Sequence, residues 1–166
     1  VGDLVVVPYQ VSCGICLRCG EGNTAHCSTD RPSSISAFGG FADPHRAWGA
    51  ALSDLIRIPF ADHMLVPLPV GLDPVAYASA GDNLVDAYRA VRPVSGEGGE
   101  APVLVAGGSA RSIGLYAVAC ARAQGSAEVV YVDTNRERLE IAQALGARVI
   151  EARFQSLTRS RTLAGR

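Results

Sequence analysis

The stretch that decides the fold is PVLVAGGSARSIG at residues 102–114. The continuous apolar run at 102–106 is what a buried parallel strand requires, and a turn of small residues follows it. A helical pattern comes next, and Gly125 stands just beyond its end; its apolar stripe consists of Ile113, Ala117, Val118 and Ala121. Strand, glycine-rich turn and helix in this order predict the beginning of an α/β nucleotide-binding unit.

The residues downstream continue the alternation of strand and helix. An apolar run at 129–132 predicts a second strand that Asp133 closes, and residues 148–151 predict a third. Between these strands, Thr134 and Glu137 predict a capping box at the start of a helix, and Gly146 predicts its end. The order β-α-β-α-β with short connections predicts a right-handed, parallel half-sheet.

The glycine-rich turn and Asp133 together predict a dinucleotide site. The first N–H groups of a helix are unsatisfied and attract a pyrophosphate. Asp133 follows Gly114 by 19 residues, where a carboxylate can accept both hydroxyls of an adenosine ribose and would repel the extra phosphate of NADP. The usual G-x-G-x-x-G is not intact, because five residues separate Gly108 from Gly114. A flavodoxin-like or purely structural βαβ unit is the alternative, and Arg111 is either a phosphate contact or a solvated cation.

Four of the five cysteines are clustered near the start of the chain, at Cys13, Cys16, Cys19 and Cys27. The spacing C-x2-C-x2-C-x7-C supplies four soft ligands to one ion and leaves no position for water, which predicts a structural zinc site. A disulfide or free-thiol loop and an iron–sulfur cluster are the alternatives. The fifth, Cys120, is predicted to be a small buried core residue.

Composition excludes several functional classes. The chain has 166 residues with 15 Lys+Arg against 16 Asp+Glu, and every one of these cations is Arg. A net charge of −1 and the lack of an apolar run of about 18 residues make nucleic acid and membrane poor partners. Without lysine there is no Schiff-base or Walker-lysine chemistry.

The first half of the chain reads as short strands and turns. Strands are predicted at 4–8, 54–59 and 64–69, and an irregular loop at 31–49. A helix begins near Asn83 and is predicted to stop at Pro93, before a flexible link at 95–99. The predicted domains are therefore 1–80, with a cysteine lobe at 12–28, and 81–154, followed by a tail at 155–166. Because the chain opens at Val1 directly in a strand, we expect it to be a piece of a longer protein.

Several motifs occur together in a recognisable order. A GD-x-V-V-x-P strand at 2–8 leads into CGICLRCGEGNTAHC at 13–27, then into SDLIRIPFAD at 53–62, and then into the nucleotide unit with Asp133. Over residues 1–152 this order resembles the zinc-containing alcohol dehydrogenases of the medium-chain dehydrogenase/reductase family. The fold that the resemblance implies is α/β: a partial GroES-like β domain with a structural zinc lobe, followed by the first half of a Rossmann domain.

The resemblance also implies site residues. The four clustered cysteines would bind the structural zinc, and Asp133 would bind the adenosine ribose with Arg138 on its other edge. Asp82 would be the third ligand of a catalytic zinc, although it can equally be the N-cap of the helix that begins near Asn83. The residues that would approach the pyrophosphate are Gly107, Gly108, Ser109, Arg111, Ser112, Ile113 and Gly114.

The function implied is hydride transfer between NAD, with NADP less favoured, and a small-molecule alcohol or aldehyde. In the family the first two catalytic ligands lie upstream of the opening strand, so the catalytic residues stay unidentified and the isolated chain is expected to be inactive. A cytoplasmic homo-oligomer, dimer or tetramer, is expected for the full-length protein. The alternative is a non-catalytic module, held together by zinc, that binds a nucleotide or a partner.

Overall fold

The computed structural model describes residues 2–29, 48–95 and 101–152. These residues belong to a mixed α/β chain that divides into two compact units, Val1–Asp82 and Asn83–Arg166. The predicted link at 96–99, the predicted tail at 155–166 and most of the predicted loop at 31–49 lie outside the described residues.

The first unit contains short elements only. Strand β1, Val5–Val6, pairs antiparallel with β2, Val66–Pro67. The helices are α1 (Leu17–Gly20), a 3-10 turn (Thr24–His26) and α2 (Ala61–Met64). A small core forms where Val11 and Met64 are fully buried against the partly buried Val7, Trp48, Ile56 and Ile58.

Two strand predictions in this unit are wrong. Residues 54–59 form no strand; among them, the N–H of Arg57 donates to the Trp48 carbonyl oxygen at 2.7 Å. Of the strand predicted at 64–69, only Val66–Pro67 pairs, because Met64 ends α2. Apolar alternation alone misled the prediction, because pairing depends on a partner strand that the local pattern does not reveal.

The second unit contains the longer elements. Helix α3 spans Asn83–Ser95, strand β3 Val103–Ala106, helix α4 Ile113–Ala123, strand β4 Val129–Asp133, helix α5 Arg136–Ala144 and strand β5 Arg148–Glu151. The strands form one parallel sheet in the order β3-β4-β5, with Val105, Tyr131 and Val149 in register. The predicted order β-α-β-α-β is therefore present, and the strand predicted at 148–151 has the predicted bounds.

The core of the second unit lies between the sheet and its helices. Alternate residues of β3 are buried, because Val103 and Val105 face the helices while Leu104 is 70% exposed on the other face. Each fully buried aliphatic side chain contributes about 1.5–3 kcal/mol. The helical residues that meet this face are small or apolar: Ala87, Val91, Ala117, Val118, Ala121, Leu139 and Ala142.

Two helix boundaries differ from the predictions. Helix α3 continues past Pro93 to Ser95, so Pro93 removes one backbone donor from the last turn without ending the helix. Helix α5 has Asn135 as its N-cap, whose side chain accepts from the Arg138 N–H at 2.9 Å. The capping box predicted with Thr134 is wrong, because the Asp133 carboxylate accepts the N–H groups of both Thr134 and Asn135 and moves the helix start by one residue.

Candidate functional site

The four clustered cysteines meet in the first unit. Their sulfur atoms all lie within 4.8 Å of one another, and the Sγ atoms of Cys13 and Cys19 are 4.0 Å apart. Zinc at about 2.3 Å from four tetrahedral sulfurs requires sulfur–sulfur distances of about 3.8 Å, so the cluster fits the ion with little adjustment. All four thiols are free, so the disulfide alternative is not formed.

The backbone around the cluster points N–H groups at sulfur. The N–H of Cys16 donates to Cys13 Sγ and the N–H of Cys13 donates to Cys27 Sγ, both at 3.4 Å. Such donors favour thiolates, the form that binds metal. The turn needs Gly14, whose φ is +78°, and a Cβ there would lie 2.5 Å from the ring of His63. His63 therefore packs against the lobe, with its Nε2 atom 2.9 Å from the Ser12 hydroxyl.

The thiols of the cluster have different acidities. The pKa of the Cys16 thiol is lowered to about 5, mainly by the neighbouring Ser28 hydroxyl. Burial raises the pKa of the Cys19 thiol to about 12. Four thiolates in one small site repel one another unless a cation is bound between them. Because all four ligand positions are taken by protein sulfur, this site suits a structural metal. It is the one cluster with such ligand spacing within residues 2–29, 48–95 and 101–152.

In the second unit, the glycine turn between β3 and α4 packs against the end of β4. The N–H of Gly107 donates to the Val132 carbonyl oxygen at 2.7 Å, and a Cβ at Gly107 would collide with the Asp133 carboxylate. A Cβ at Gly114 would lie 3.2 Å from the Tyr131 ring, whereas one at Gly108 would meet no atom within 4 Å. Gly107 is thus required by packing and Gly114 is closely packed, whereas Gly108 is where a ligand can approach.

Helix α4 starts beside this turn with an uncapped end. Its N-cap residue, Ser112, makes no side-chain capping bond; instead its Oγ accepts from Asn83 Nδ2 at 2.9 Å. The first N–H groups of α4 and the Ser112 hydroxyl proton are therefore available to an anion. Ser109 and Arg111 of the same turn are exposed.

Asp133 is almost completely buried at the end of β4, with 2% of its surface exposed. Arg138 binds it with two hydrogen bonds of 2.7 Å, from Nε to Oδ2 and from Nη2 to Oδ1. The Tyr131 hydroxyl donates to Oδ2 at 2.6 Å, and the N–H groups of Thr134 and Asn135 donate to Oδ1 at 2.7 and 2.9 Å. A carboxylate has about four acceptor positions, so ribose hydroxyls could bind only where a present donor leaves.

These contacts shift the acidities of all three side chains. The guanidinium of Arg138 is the main cause that holds the pKa of Asp133 well below its usual range, and Asp133 in turn raises the pKa of Arg138. Burial, followed by the hydrogen bond to Asp133, raises the pKa of Tyr131 to about 12. At neutral pH the site therefore holds an ion pair and a phenol that stays protonated.

The structure brings together the predicted turn, Asp133 and Arg138. It also adds residues that the prediction did not include, above all Tyr131. One signal could have found Tyr131: residues two apart on a strand point to the same face, so a Tyr at 131 lies beside the carboxylate at 133. Asn83 could not be found in this way, because it lies far from Ser112 in sequence.

Asp82 lies immediately before α3 and is exposed. It borders a cavity of about 280 Å³ in the first unit, whose other walls are mostly apolar and include Val7, Tyr9 and Ile56. Its two predicted roles, zinc ligand and helix N-cap, both stay predictions. No helix in the described part of the chain has the length and apolar character to cross a bilayer.

Comparison with known proteins identifies relatives along most of the chain. A glutathione-independent formaldehyde dehydrogenase of Pseudomonas aeruginosa is 30% identical over 154 residues, which are 91% of this chain and 38% of that protein. A protein named probable zinc-binding alcohol dehydrogenase in Mycobacterium tuberculosis is 30% identical over 147 residues, 89% of this chain and 35% of the relative. No protein-family model matches the chain.

The same class appears among solved structures. The alcohol dehydrogenase TADH from Thermus sp. ATN1 superimposes with a TM-score of 0.77 at 31% identity, over 95% of this chain and 43% of that one. The resemblance to medium-chain zinc alcohol dehydrogenases is therefore confirmed, and with it the oxidoreductase class of the relatives. The chain spans 38% of the length of the first curated relatives that it matches.

Proposed function

We propose that the protein is a zinc-containing oxidoreductase that transfers a hydride between NAD and a small alcohol or aldehyde. The observation that carries this proposal is the packing of the glycine turn against Asp133: Gly107 lies directly against the carboxylate, while Gly108 faces open space. A site of this form places a phosphate-binding helix end and a ribose acceptor side by side, as a dinucleotide requires.

For the adenosine ribose, the ion pair has to open. Arg138 supplies two of the donors to Asp133, and its side chain is 19% exposed, so the guanidinium can swing into water. The three remaining donors, Tyr131 on Oδ2 and the two backbone N–H groups on Oδ1, then leave about one of the four acceptor positions open, on Oδ2, for a ribose hydroxyl. The charge of Asp133 then disfavours a 2′-phosphate, which supports NAD over NADP.

The cysteine lobe has a structural role in this proposal. Its buried hydrophobic residues are Cys13, Cys19 and Cys27, so it has no aliphatic core of its own and metal binding supplies its folding energy. An iron–sulfur cluster also uses four thiolates, but the zinc-binding name of a relative supports zinc.

Asp82 is the residue of this chain that we assign to a catalytic zinc. A carboxylate is a hard ligand that zinc accepts, and the cavity beside Asp82 has the mainly apolar walls of a substrate pocket. When bound, the metal supplies a Lewis acid for the substrate oxygen and the dinucleotide carries the hydride. Asp82 would hold its carboxylate at the pocket wall, and the backbone there is fixed by a 2.9 Å hydrogen bond from the Tyr9 N–H to the Gly81 carbonyl oxygen.

Hydride transfer is tested at 340 nm with the full-length protein, by NADH formation with a panel of alcohols and by NADH consumption with a panel of aldehydes. The matched variants are Asp82→Asn, which keeps a good helix N-cap but is a poor zinc ligand, and the exposed Asp86→Asn on α3. We expect Asp82→Asn to lose about 100-fold or more in kcat/KM, since even the loss of a partner that only orients a metal ligand costs about 10–100-fold, and Asp86→Asn to match the parent. Failure of the parent protein to reduce NAD with any substrate of this class would overturn the proposal.

A further inference from the structure

We propose that Tyr131 is a positioning residue of the adenosine subsite, which holds Asp133 through its hydroxyl and supports the glycine turn with its ring. This inference rests on the proposed function, since it assigns a role within the same cofactor site. The Tyr131 side chain contacts Asp133 and lies beside Gly107 and Gly114, and it is buried from solvent.

The first step is the position of the side chain. Tyr131 is the central residue of β4 and pairs with Val105 on one side and Val149 on the other. It is 1% exposed, and its hydroxyl donates to Asp133 Oδ2 at 2.6 Å. A hydrogen bond from a buried neutral donor to a carboxylate is among the stronger ones in proteins.

The second step is its contact with the turn. A Cβ at Gly114 would lie 3.2 Å from Tyr131 Cε2, and a Cβ at Gly107 would lie 2.9 Å from the Tyr131 hydroxyl oxygen. The ring therefore fills the space beneath both glycines. One rigid side chain thus fixes the separation between the predicted phosphate turn and the ribose acceptor.

The third step distinguishes Tyr131 from Arg138. Both donate to Oδ2, but Arg138 is partly exposed and can leave, whereas Tyr131 is enclosed by β3, β5 and the turn. Its pKa of about 12 keeps the phenol protonated throughout the physiological range. When the ribose takes the positions of Arg138, the Tyr131 hydroxyl is the side-chain donor that stays and keeps the carboxylate aimed.

The test compares NAD and NADP binding by isothermal titration calorimetry in the full-length protein, with Tyr131→Phe and the control Tyr88→Phe, a half-exposed position on α3. Phe keeps the ring beneath the turn and removes only the hydroxyl. We expect Tyr131→Phe to weaken NAD about tenfold, and NADP far less, because only NAD uses Asp133 as an acceptor. A purely structural loss would weaken both nucleotides alike, and Tyr88→Phe should change neither.

A double-mutant cycle makes the assignment specific. In an Asp133→Ser background, Tyr131→Phe should leave the NAD-to-NADP ratio unchanged, because the group that it positions is gone. A second readout needs no nucleotide: NMR titration should show a higher pKa for Asp133 in Tyr131→Phe. If NAD binds the parent but the ratio or this pKa does not move in Tyr131→Phe, the role of Tyr131 is overturned and the proposed function stands. If the parent binds neither nucleotide, both are overturned.

Discussion

Asp133 stabilises the second unit only while its carboxylate is ionised. An unfolded Asp has a pKa of about 3.9, and the contacts with Arg138 hold the folded value lower. Stability from this group is therefore complete above about pH 5 and is lost as the pH falls below 4 toward the folded value. We expect Asp133→Asn to cost about 2–4 kcal/mol at pH 7, since it leaves Arg138 without its partner.

Urea unfolding at pH 7 and pH 3 checks this prediction. The free-energy difference between the parent and Asp133→Asn should shrink at pH 3, where the parent carboxylate loses its advantage. The exposed Asp86→Asn serves as the control. A difference that is the same at both pH values would contradict the assignment of the low pKa to Asp133.

The two adjacent glycines of the turn offer a matched pair of substitutions. A Cβ at Gly107 would collide with Asp133 and approach the Tyr131 hydroxyl, whereas one at Gly108 would meet nothing within 4 Å. We expect Gly107→Ala to lower the free energy of unfolding by about 1–3 kcal/mol through overpacking, and Gly108→Ala to change it by less than about 0.5 kcal/mol. Thermal and urea unfolding measure both. Equal effects of the two substitutions would show that the turn does not rest on Asp133.

At the scale of elements, the sequence predicted the parallel unit well because its periodicity is strong. Short apolar runs that end at glycine or at Asp133 fit few secondary structures other than buried strands. The structure has strands at 103–106, 129–133 and 148–151. The start of α5 was mispredicted because the capping rule considers Thr134 and Glu137 locally, whereas the Asp133 carboxylate competes for the same backbone N–H groups. The strand predicted at 54–59 failed for a similar reason, since pairing depends on a partner that the pattern does not reveal.

The cysteine lobe is the element whose stability we expect to depend most on a bound metal. Helix α1 has four residues, and the buried groups around it are the cysteines. We expect about one zinc per chain and loss of that zinc in a Cys16→Ser, Cys19→Ser double variant, whereas Cys120→Ser on α4 keeps it. Metal analysis measures the content, and hydrogen exchange after chelation should show faster exchange at residues 13–27. Zinc retained by the double variant would refute the site.

At the scale of the whole molecule, the sequence predicted the two sites unequally. The cysteine cluster follows from the spacing of the four residues, because four candidate ligands within one loop need no long-range information. The adenosine subsite was predicted only as Asp133 with Arg138; that the carboxylate is already saturated, with Tyr131 beneath it, depends on how β4 packs against the turn. A sequence pattern predicts which residues approach a ligand, but the number of hydrogen-bond donors around one carboxylate is known only from the three-dimensional structure.

The preference for NAD over NADP depends both on single residues and on the fold that holds them, and it is measured on the full-length protein. The Asp133 carboxylate can accept a ribose hydroxyl once Arg138 moves, and it would face the 2′-phosphate of NADP with like charge. Repulsion together with the lost hydrogen bonds is worth roughly 2–4 kcal/mol, or about 30- to 1000-fold in kcat/KM. Arg138 reduces this difference, because a guanidinium that has left Asp133 can bind a phosphate.

We therefore expect the parent protein to prefer NAD, Asp133→Ser to narrow that preference strongly, and Arg138→Leu to widen it. The last variant removes a cation beside Asp133 that can attract a 2′-phosphate, and it also removes the two guanidinium hydrogen bonds to the carboxylate. The ratio of kcat/KM for NAD and NADP in the three proteins checks the prediction. A parent that already prefers NADP, or an Asp133→Ser variant with an unchanged kcat/KM ratio, would show that Asp133 does not bind the ribose hydroxyls.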